Sequence, residues 1–243
     1  KRIGKIMTDK RIILVTGATR GIGRAAAIAL AAAGHHVIAT GRTQGALEEL
    51  DDIISAAGGT VSLVPFDLKN MDMVHQLGAV IAERHGRLDG MFANAGVLGE
   101  ITPANHVTPK TWDEVIAVNL TANVNLIRAM DPLLRQSKAG RAVFMTSGVA
   151  TSRRPYWGAY AASKAGLEAF VQCYARETEV TNMRVNLLDP GATATAMRAK
   201  AMPGEDPATL PQPDDVAKLV VEMLSPSYDK NAEVVVYRKW ARS

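Results

Sequence analysis

The chain has 243 residues, 47% of them hydrophobic and 21% charged, which suits one globular domain with a sizeable core. Its 28 Lys and Arg against 24 Asp and Glu leave a formal charge of +4, spread along the chain without the basic blocks of a nucleic-acid binder. A single cysteine, Cys173, excludes an intramolecular disulfide and thiolate zinc sites, the histidines lack metal-ligand spacing, and no run of 18 uncharged apolar residues marks a membrane span.

Residues 1–10 read as an N-terminal extension. "KRIGKIM" is basic but leads into "TDKRIILVTG" with no long apolar run and no cleavage site, so it does not read as a signal peptide, and Met7 is a candidate start. Cys173 is expected to be a small buried apolar residue rather than a nucleophile, and one such cysteine fits a reducing, cytoplasmic setting.

The first strand, "RIILVT" at 11–16, runs straight into "TGATRGIGRAAAIALAAAG". Gly17, Gly21 and Gly23 turn the chain sharply into a helix and let backbone approach a pyrophosphate at the positive helix N-terminus. The spacing is G-x-x-x-G-x-G, which after a first strand and before a small-residue helix points to a dinucleotide. The second strand, 36–40, ends in "IATGRT", with no acid before Glu48. An acid at that place bonds the ribose hydroxyls of NAD, whereas Arg42 can bind a 2′-phosphate as a bidentate cation, with Arg20 as a second partner. NADP(H) is therefore expected over NAD(H), which stays the alternative.

Further apolar runs at 60–66, 88–94, 141–147, 183–189 and 232–237 read as strands three to seven, with amphipathic helical stretches between them. Such alternation implies a parallel sheet covered by helices on both faces: an α/β, doubly wound, Rossmann-type single domain over 11–243. The breaker-rich stretch within 196–213, with Met197, Met202, Pro203, Gly204 and Leu210, reads as a substrate lid. Helix 158–179 carries Tyr160 and Lys164 four residues apart, hence on one face, among small neighbours. Packing explains the small residues; the pair suggests a phenol made acidic by a cation.

"TGATRGIG", "ANAG" (93–96), Asn119, Ser147, "YAASK" (160–164) and "PGATAT" (190–195) together resemble the short-chain dehydrogenases/reductases, over nearly the whole chain and in the expected order. The resemblance implies a seven-stranded Rossmann-type sheet and a catalytic set of Asn119, Ser147, Tyr160 and Lys164. It implies that Gly17, Thr19, Arg20, Gly21, Ile22 and Gly23 hold the dinucleotide, that Asp67 and Leu68 meet the adenine, and that Asn94, Ala95 and Gly96 border the adenosine ribose. Pro190 and Gly191 would face the nicotinamide, Thr193 and Thr195 would fix its carboxamide and a phosphate, and Asn119 would hold a water linking the lysine to solvent.

The chemistry follows from that set. A free tyrosine has a pKa near 10, and a cation about 4 Å away is worth roughly 4 kcal/mol at an effective dielectric near 20, about three pKa units. Lys164 is thus expected to bring the Tyr160 phenol towards neutrality, so that it acts as general acid while Ser147 hydrogen-bonds the same oxygen. The expected activity is hydride transfer between NADP(H) and the carbonyl or secondary alcohol of a small molecule. A 3-oxoacyl-carrier-protein reductase is the alternative, weakened because the ending "EVVVYRKWARS" lacks the glycine-rich tail frequent there; a non-catalytic dinucleotide sensor or scaffold is the other. A homodimer or homotetramer is expected, built on the helices around 109–137 and 158–179. The loops after Gly96 and Ser147 and the segment 196–213 should set specificity; Arg153 and Arg154 would suit an acidic or phosphorylated substrate or simply be a solvated basic loop.

Overall fold

The computed structural model describes residues 10–242. The expected extension therefore lies, apart from Lys10, outside the described residues, as does Met7. Seven strands form one parallel sheet in the order β3-β2-β1-β4-β5-β6-β7. They are β1 (Ile12–Thr16), β2 (His36–Gly41), β3 (Thr60–Pro65), β4 (Gly90–Ala93), β5 (Arg141–Met145), β6 (Arg184–Asp189) and β7 (Val234–Val236), each within a run expected from the sequence except that β2 runs one residue further, to Gly41. The helices are α1 (Gly21–Ala32), α2 (Gln44–Ala56), α3 (Met71–His85), α4 (Pro109–Ile116), α5 (Ala122–Arg135), α6 (Val149–Ser152), α7 (Gly158–Glu177), α8 (Ala196–Ala201), α9 (Pro213–Met223) and α10 (Tyr237–Trp240).

Alternation along each strand feeds two cores. On one face Ile12 and Leu14 of β1 and Ala142 and Phe144 of β5 pack with Leu77 of α3, Leu126 and Met130 of α5 and Leu167 and Val171 of α7. On the other, Ile13 and Val15 with Val143 meet Ala26 and Leu30 of α1, Leu50 and Ile54 of α2, and Val216 and Val220 of α9. Both faces of the sheet are covered, which is why the strands read as continuous apolar runs. The strand order reverses between β1 and β4, so a crevice opens at their carboxyl ends. Thr16 and Asn94 tie those two ends together: Asn94 N donates to Thr16 Oγ1 at 3.0 Å, and Asn94 Nδ2 donates to the Thr16 carbonyl at 3.0 Å.

Two expectations need correction. The helical stretch 109–137 is not one regular helix: a π-helical segment, Ala117–Thr121, separates α4 from α5. Cys173 is exposed, because it faces outward on α7 while Val171 and Tyr174 turn inward.

Candidate active site

The crevice is a cavity of about 440 Å³, open to solvent, running from the end of β2 across β1 and β4 to the ends of β5 and β6. Its floor is shaped by close backbone approaches. Gly17 and Gly21, with φ of 66° and 53°, adopt the left-handed conformation that glycine permits. The first turn of α1 has no acidic residue, and its N-cap, Arg20, offers no side-chain hydrogen bond, so the leading N–H groups face the cavity uncapped. Arg20 and Arg42 both line this end, are exposed, and make no side-chain hydrogen bond or ion pair with a described residue. Thr40, buried near the end of β2, lines the same cavity and has a hydroxyl oxygen with no partner among the described residues. Uncapped N–H groups, two unpaired guanidiniums and an orphaned hydroxyl fit a phosphorylated dinucleotide.

At the far end stand Ser147, just past β5, and Tyr160 and Lys164 on α7. Lys164 is 2% exposed, and its ammonium donates a 2.7 Å hydrogen bond to the Met145 carbonyl. Burial lowers its pKa to about 8, against the pull of the Glu168 carboxylate one helical turn on. The lysine nitrogen sits 5.8 Å from the centroid of the Tyr160 ring. Burial pushes the phenol up to about 12; a hydrogen bond with Ser147 opposes the rise and the Asp189 carboxylate adds to it. The expected acidification by Lys164 is therefore not the state of the protein by itself. Desolvation of the phenol prevails, while the ammonium is spent on a strand carbonyl.

Asn119 does not line the cavity. It is fully buried in the π-helical segment, where its Oδ1 accepts from Val97 N at 2.8 Å and its Nδ2 donates to the Val97 carbonyl at 2.9 Å and to Ser163 Oγ at 3.0 Å. Its own carbonyl accepts from Asn123 Nδ2 at 2.9 Å. Asn119 is thus a clamp that ties the loop after β4 to α7. Gly96 lies in the gap between: a Cβ there would stand 3.3 Å from Asn119 Oδ1 and 3.7 Å from Lys164 Nζ.

Gly23 does not line the cavity either. Its missing Cβ is what matters, since one would fall 2.3 Å from the Gly17 carbonyl oxygen and 2.4 Å from Asn94 Nδ2. The other residues named from the sequence all border the cavity: Gly17, Thr19, Arg20, Gly21, Ile22, Arg42, Asp67, Leu68, Asn94, Ala95, Gly96, Ser147, Tyr160, Lys164, Pro190, Gly191, Thr193 and Thr195. Two threonines are partly committed within the protein: Thr193 donates to the Pro190 carbonyl at 3.1 Å, and Thr195 accepts from Arg198 N at 3.1 Å as the cap of α8.

Sequence reasoning missed several neighbours, among them Thr40, Phe66, Thr146 and Arg198. Thr146 donates to Glu168 Oε1 at 2.7 Å, holding that carboxylate beside the lysine. Of the lid residues, Met197 lines the cavity, whereas Met202 and Leu210 do not.

Comparison with known proteins bears directly on this geometry. Residues 11–206 match the family model described as short chain dehydrogenase. The chain is 40% identical, over 90% of its length and 87% of the relative's, to the uncharacterized oxidoreductase YciK of Escherichia coli strain K12. A short chain dehydrogenase from E. coli CFT073 complexed with NADPH superposes with a TM-score of 0.90 at 40% identity, covering 94% of this chain and 96% of that one. Another from Shigella flexneri, complexed with NADP, gives a TM-score of 0.90 at 39% identity over 94% of this chain and 97% of the other. With the family model spanning most of the chain and the sheet order and crevice in agreement, the protein belongs to the short-chain dehydrogenase/reductase family.

Proposed function

We propose that the protein is an NADP(H)-dependent oxidoreductase that passes a hydride between the nicotinamide and the carbonyl or secondary alcohol of a small molecule. The observation that carries this is one cavity with a phosphate-suited end, at Arg20, Thr40 and Arg42, and an acid–base end, at Ser147, Tyr160 and Lys164. The similar chains complexed with NADP and NADPH support the choice of cofactor. In this reading the backbone at Gly17, Gly21 and Ile22 receives the pyrophosphate, Arg20 and Arg42 the 2′-phosphate, Asp67 and Leu68 the adenine, and Pro190 to Thr195 the nicotinamide side.

When bound, NADPH supplies the hydride, and NADP+ accepts one in the reverse direction. In the protein by itself burial keeps the Tyr160 phenol protonated through the neutral range, so it holds the proton that a carbonyl oxygen would take up. Ser147, hydrogen-bonded to Tyr160, offers a second donor to the same oxygen. Lys164 places a charge beside the phenol and fixes its own position through Met145. Asn119 is a positioning residue, acting through Val97 and Ser163. Segment 196–213 serves as the lid, hinged on the bond from Ala194 N to the Pro211 carbonyl at 2.9 Å. The same reading takes the protein as cytoplasmic and as a homodimer or homotetramer, supported by Trp112 on α4 and Phe170 on α7, 43% and 40% exposed.

The test is Tyr160→Phe, assayed with NADPH and a panel of ketones and aldehydes. Turnover should fall by about two to four orders of magnitude while NADPH binding, followed by fluorescence, stays within about twofold. A variant that keeps its rate would sink the acid role, and a wild type that binds neither NADPH nor NADH would sink the enzyme reading.

A further inference from the structure

Outside the groups already given roles, a set of charges lies at the rim of the cavity. Arg198 of α8 lines it and holds Glu205, further along the lid, in a two-point ion pair, Nε to Oε2 at 2.5 Å and Nη2 to Oε1 at 2.8 Å. Arg238 of α10 reaches the edge of the cavity at Gly191, which lines it: a Cβ on Gly191 would stand 3.9 Å from both its Cγ and its Nε. Arg238 makes no salt bridge or hydrogen bond with a described residue. Glu205 is held below its usual range first by the Arg198 hydrogen bond, and also by the fields of Arg238 and Arg154. Arg154 sits in a loop with two strained positions, Arg153 and Tyr156, whose φ values are 47° and 72°. That loop is pinned by Thr102 N donating to the Tyr156 carbonyl at 2.9 Å. Strain of this kind persists where surrounding structure fixes it, commonly at ligand clamps.

We propose that Arg198 and Arg238, with Arg154 at the rim, form a carboxylate subsite, and that the substrate is an oxo acid whose carboxylate displaces that of Glu205. This rests on the oxidoreductase reading above and adds the substrate class to it. Arg198 holds the Glu205 carboxylate in the planar two-point fork that a substrate carboxylate would take, and Arg238 and Arg154 lie near enough for their fields to reach it. Glu205 then acts as a placeholder, keeping the arginines soluble and aligned until an acidic substrate enters.

The probes are straight-chain 2-, 3-, 4- and 5-oxo acids, each beside its methyl ester, with the full-length protein. Reduction by NADPH is measured, and binding to the NADP+ complex is read by tryptophan fluorescence, since Trp157 lines the cavity. At least one acid should be favoured over its ester by about tenfold or more in kcat/KM or in Kd. The acid-to-ester ratio should fall towards one in Arg238→Ala and Arg198→Ala, and Glu205→Gln should lower KM for the acid alone. Equal handling of acid and ester, binding of no acid, or a ratio that survives both arginine substitutions overturns the proposal. So does a loss confined to NADPH affinity, which would give these arginines to the cofactor's pyrophosphate. If acids bind in preference but nothing is reduced, the subsite stands and the oxidoreductase reading fails.

Discussion

The Lys164 ammonium is bonded to the main-chain carbonyl of Met145, 2.7 Å away, and not to a carboxylate. A carbonyl dipole compensates a buried charge only in part, and the lysine pKa accordingly drops to about 8. The unfolded chain, with a lysine near 10.5, binds more protons than the folded one between those values, so this residue makes stability rise with pH across that window. Relative to Lys164→Met, the wild type should gain about 2 kcal/mol between pH 7 and pH 9.5 in urea melts. A difference that stays flat would mean that the ammonium is better solvated than its surroundings imply. Above pH 10 the phenol of Tyr160 acts in the other sense, because the folded state keeps a proton that the unfolded state loses.

Asp189 bears on the phenol from the end of β6. Its Oδ1 accepts from Gly191 N at 3.0 Å, its Oδ2 lies 3.2 Å from where a Gly148 Cβ would be, and its charge raises the Tyr160 pKa. Asp189→Asn keeps the acceptor and removes the charge. The alkaline limb of the reduction profile should move to lower pH, with little change in Tm. A limb that does not move would show that Asp189 is screened from the phenol.

Arg42 is exposed and makes no side-chain hydrogen bond or ion pair with a described residue, so its replacement breaks no polar contact among them. Arg42→Ala should raise the Kd for NADPH by about ten- to a hundredfold, the worth of a charge-assisted contact, and leave NADH within about twofold. Equal weakening of the two would remove the 2′-phosphate assignment.

Gly23→Ala should be disproportionately harmful for one methyl group. The added carbon would need space held by the Gly17 carbonyl, 2.3 Å away, and by the Asn94 amide. A cost of about 1–3 kcal/mol is expected, together with at least tenfold weaker NADPH binding, because the loop must shift to relieve the clash. Gly45→Ala, with nothing within 4 Å of the added carbon, serves as the control and should stabilise by up to about 1 kcal/mol.

The fold was largely legible because its signals are local. Seven apolar runs at the spacing of strand and helix mark the sheet, and the glycine loop marks the crevice, since a turn followed by a helix start is written in consecutive residues. Tyr160 and Lys164 were readable for the same reason, being one helical turn apart. What stayed hidden depends on distant contacts. The π-helical segment that turns Asn119 towards Val97 has no sequence period of its own. The upward shift of the Tyr160 phenol reflects how much chain closes over it. Arg238 reaches Gly191 only because β7 pairs with β6, 47 residues after the glycine in the chain and beside it in space. Thr40 reads as an ordinary strand threonine until its hydroxyl is seen to lack a partner.

The π-helical segment at Ala117–Thr121 also sets the phase between the helices on either side of it. A wide turn spends one more residue than an α-helical turn, so every side chain after it is rotated by about 100° relative to an unbroken helix. That offset lets Val115 and Leu126 both point into the protein while Asn119, between them, faces Val97 and Ser163. Removing one residue there would give a more regular helix and a wrong one, with the apolar stripe of α5 swung off α3. The surplus residue is thus a gear tooth: it makes this stretch tolerant of substitution on its outer side and intolerant of any change in length.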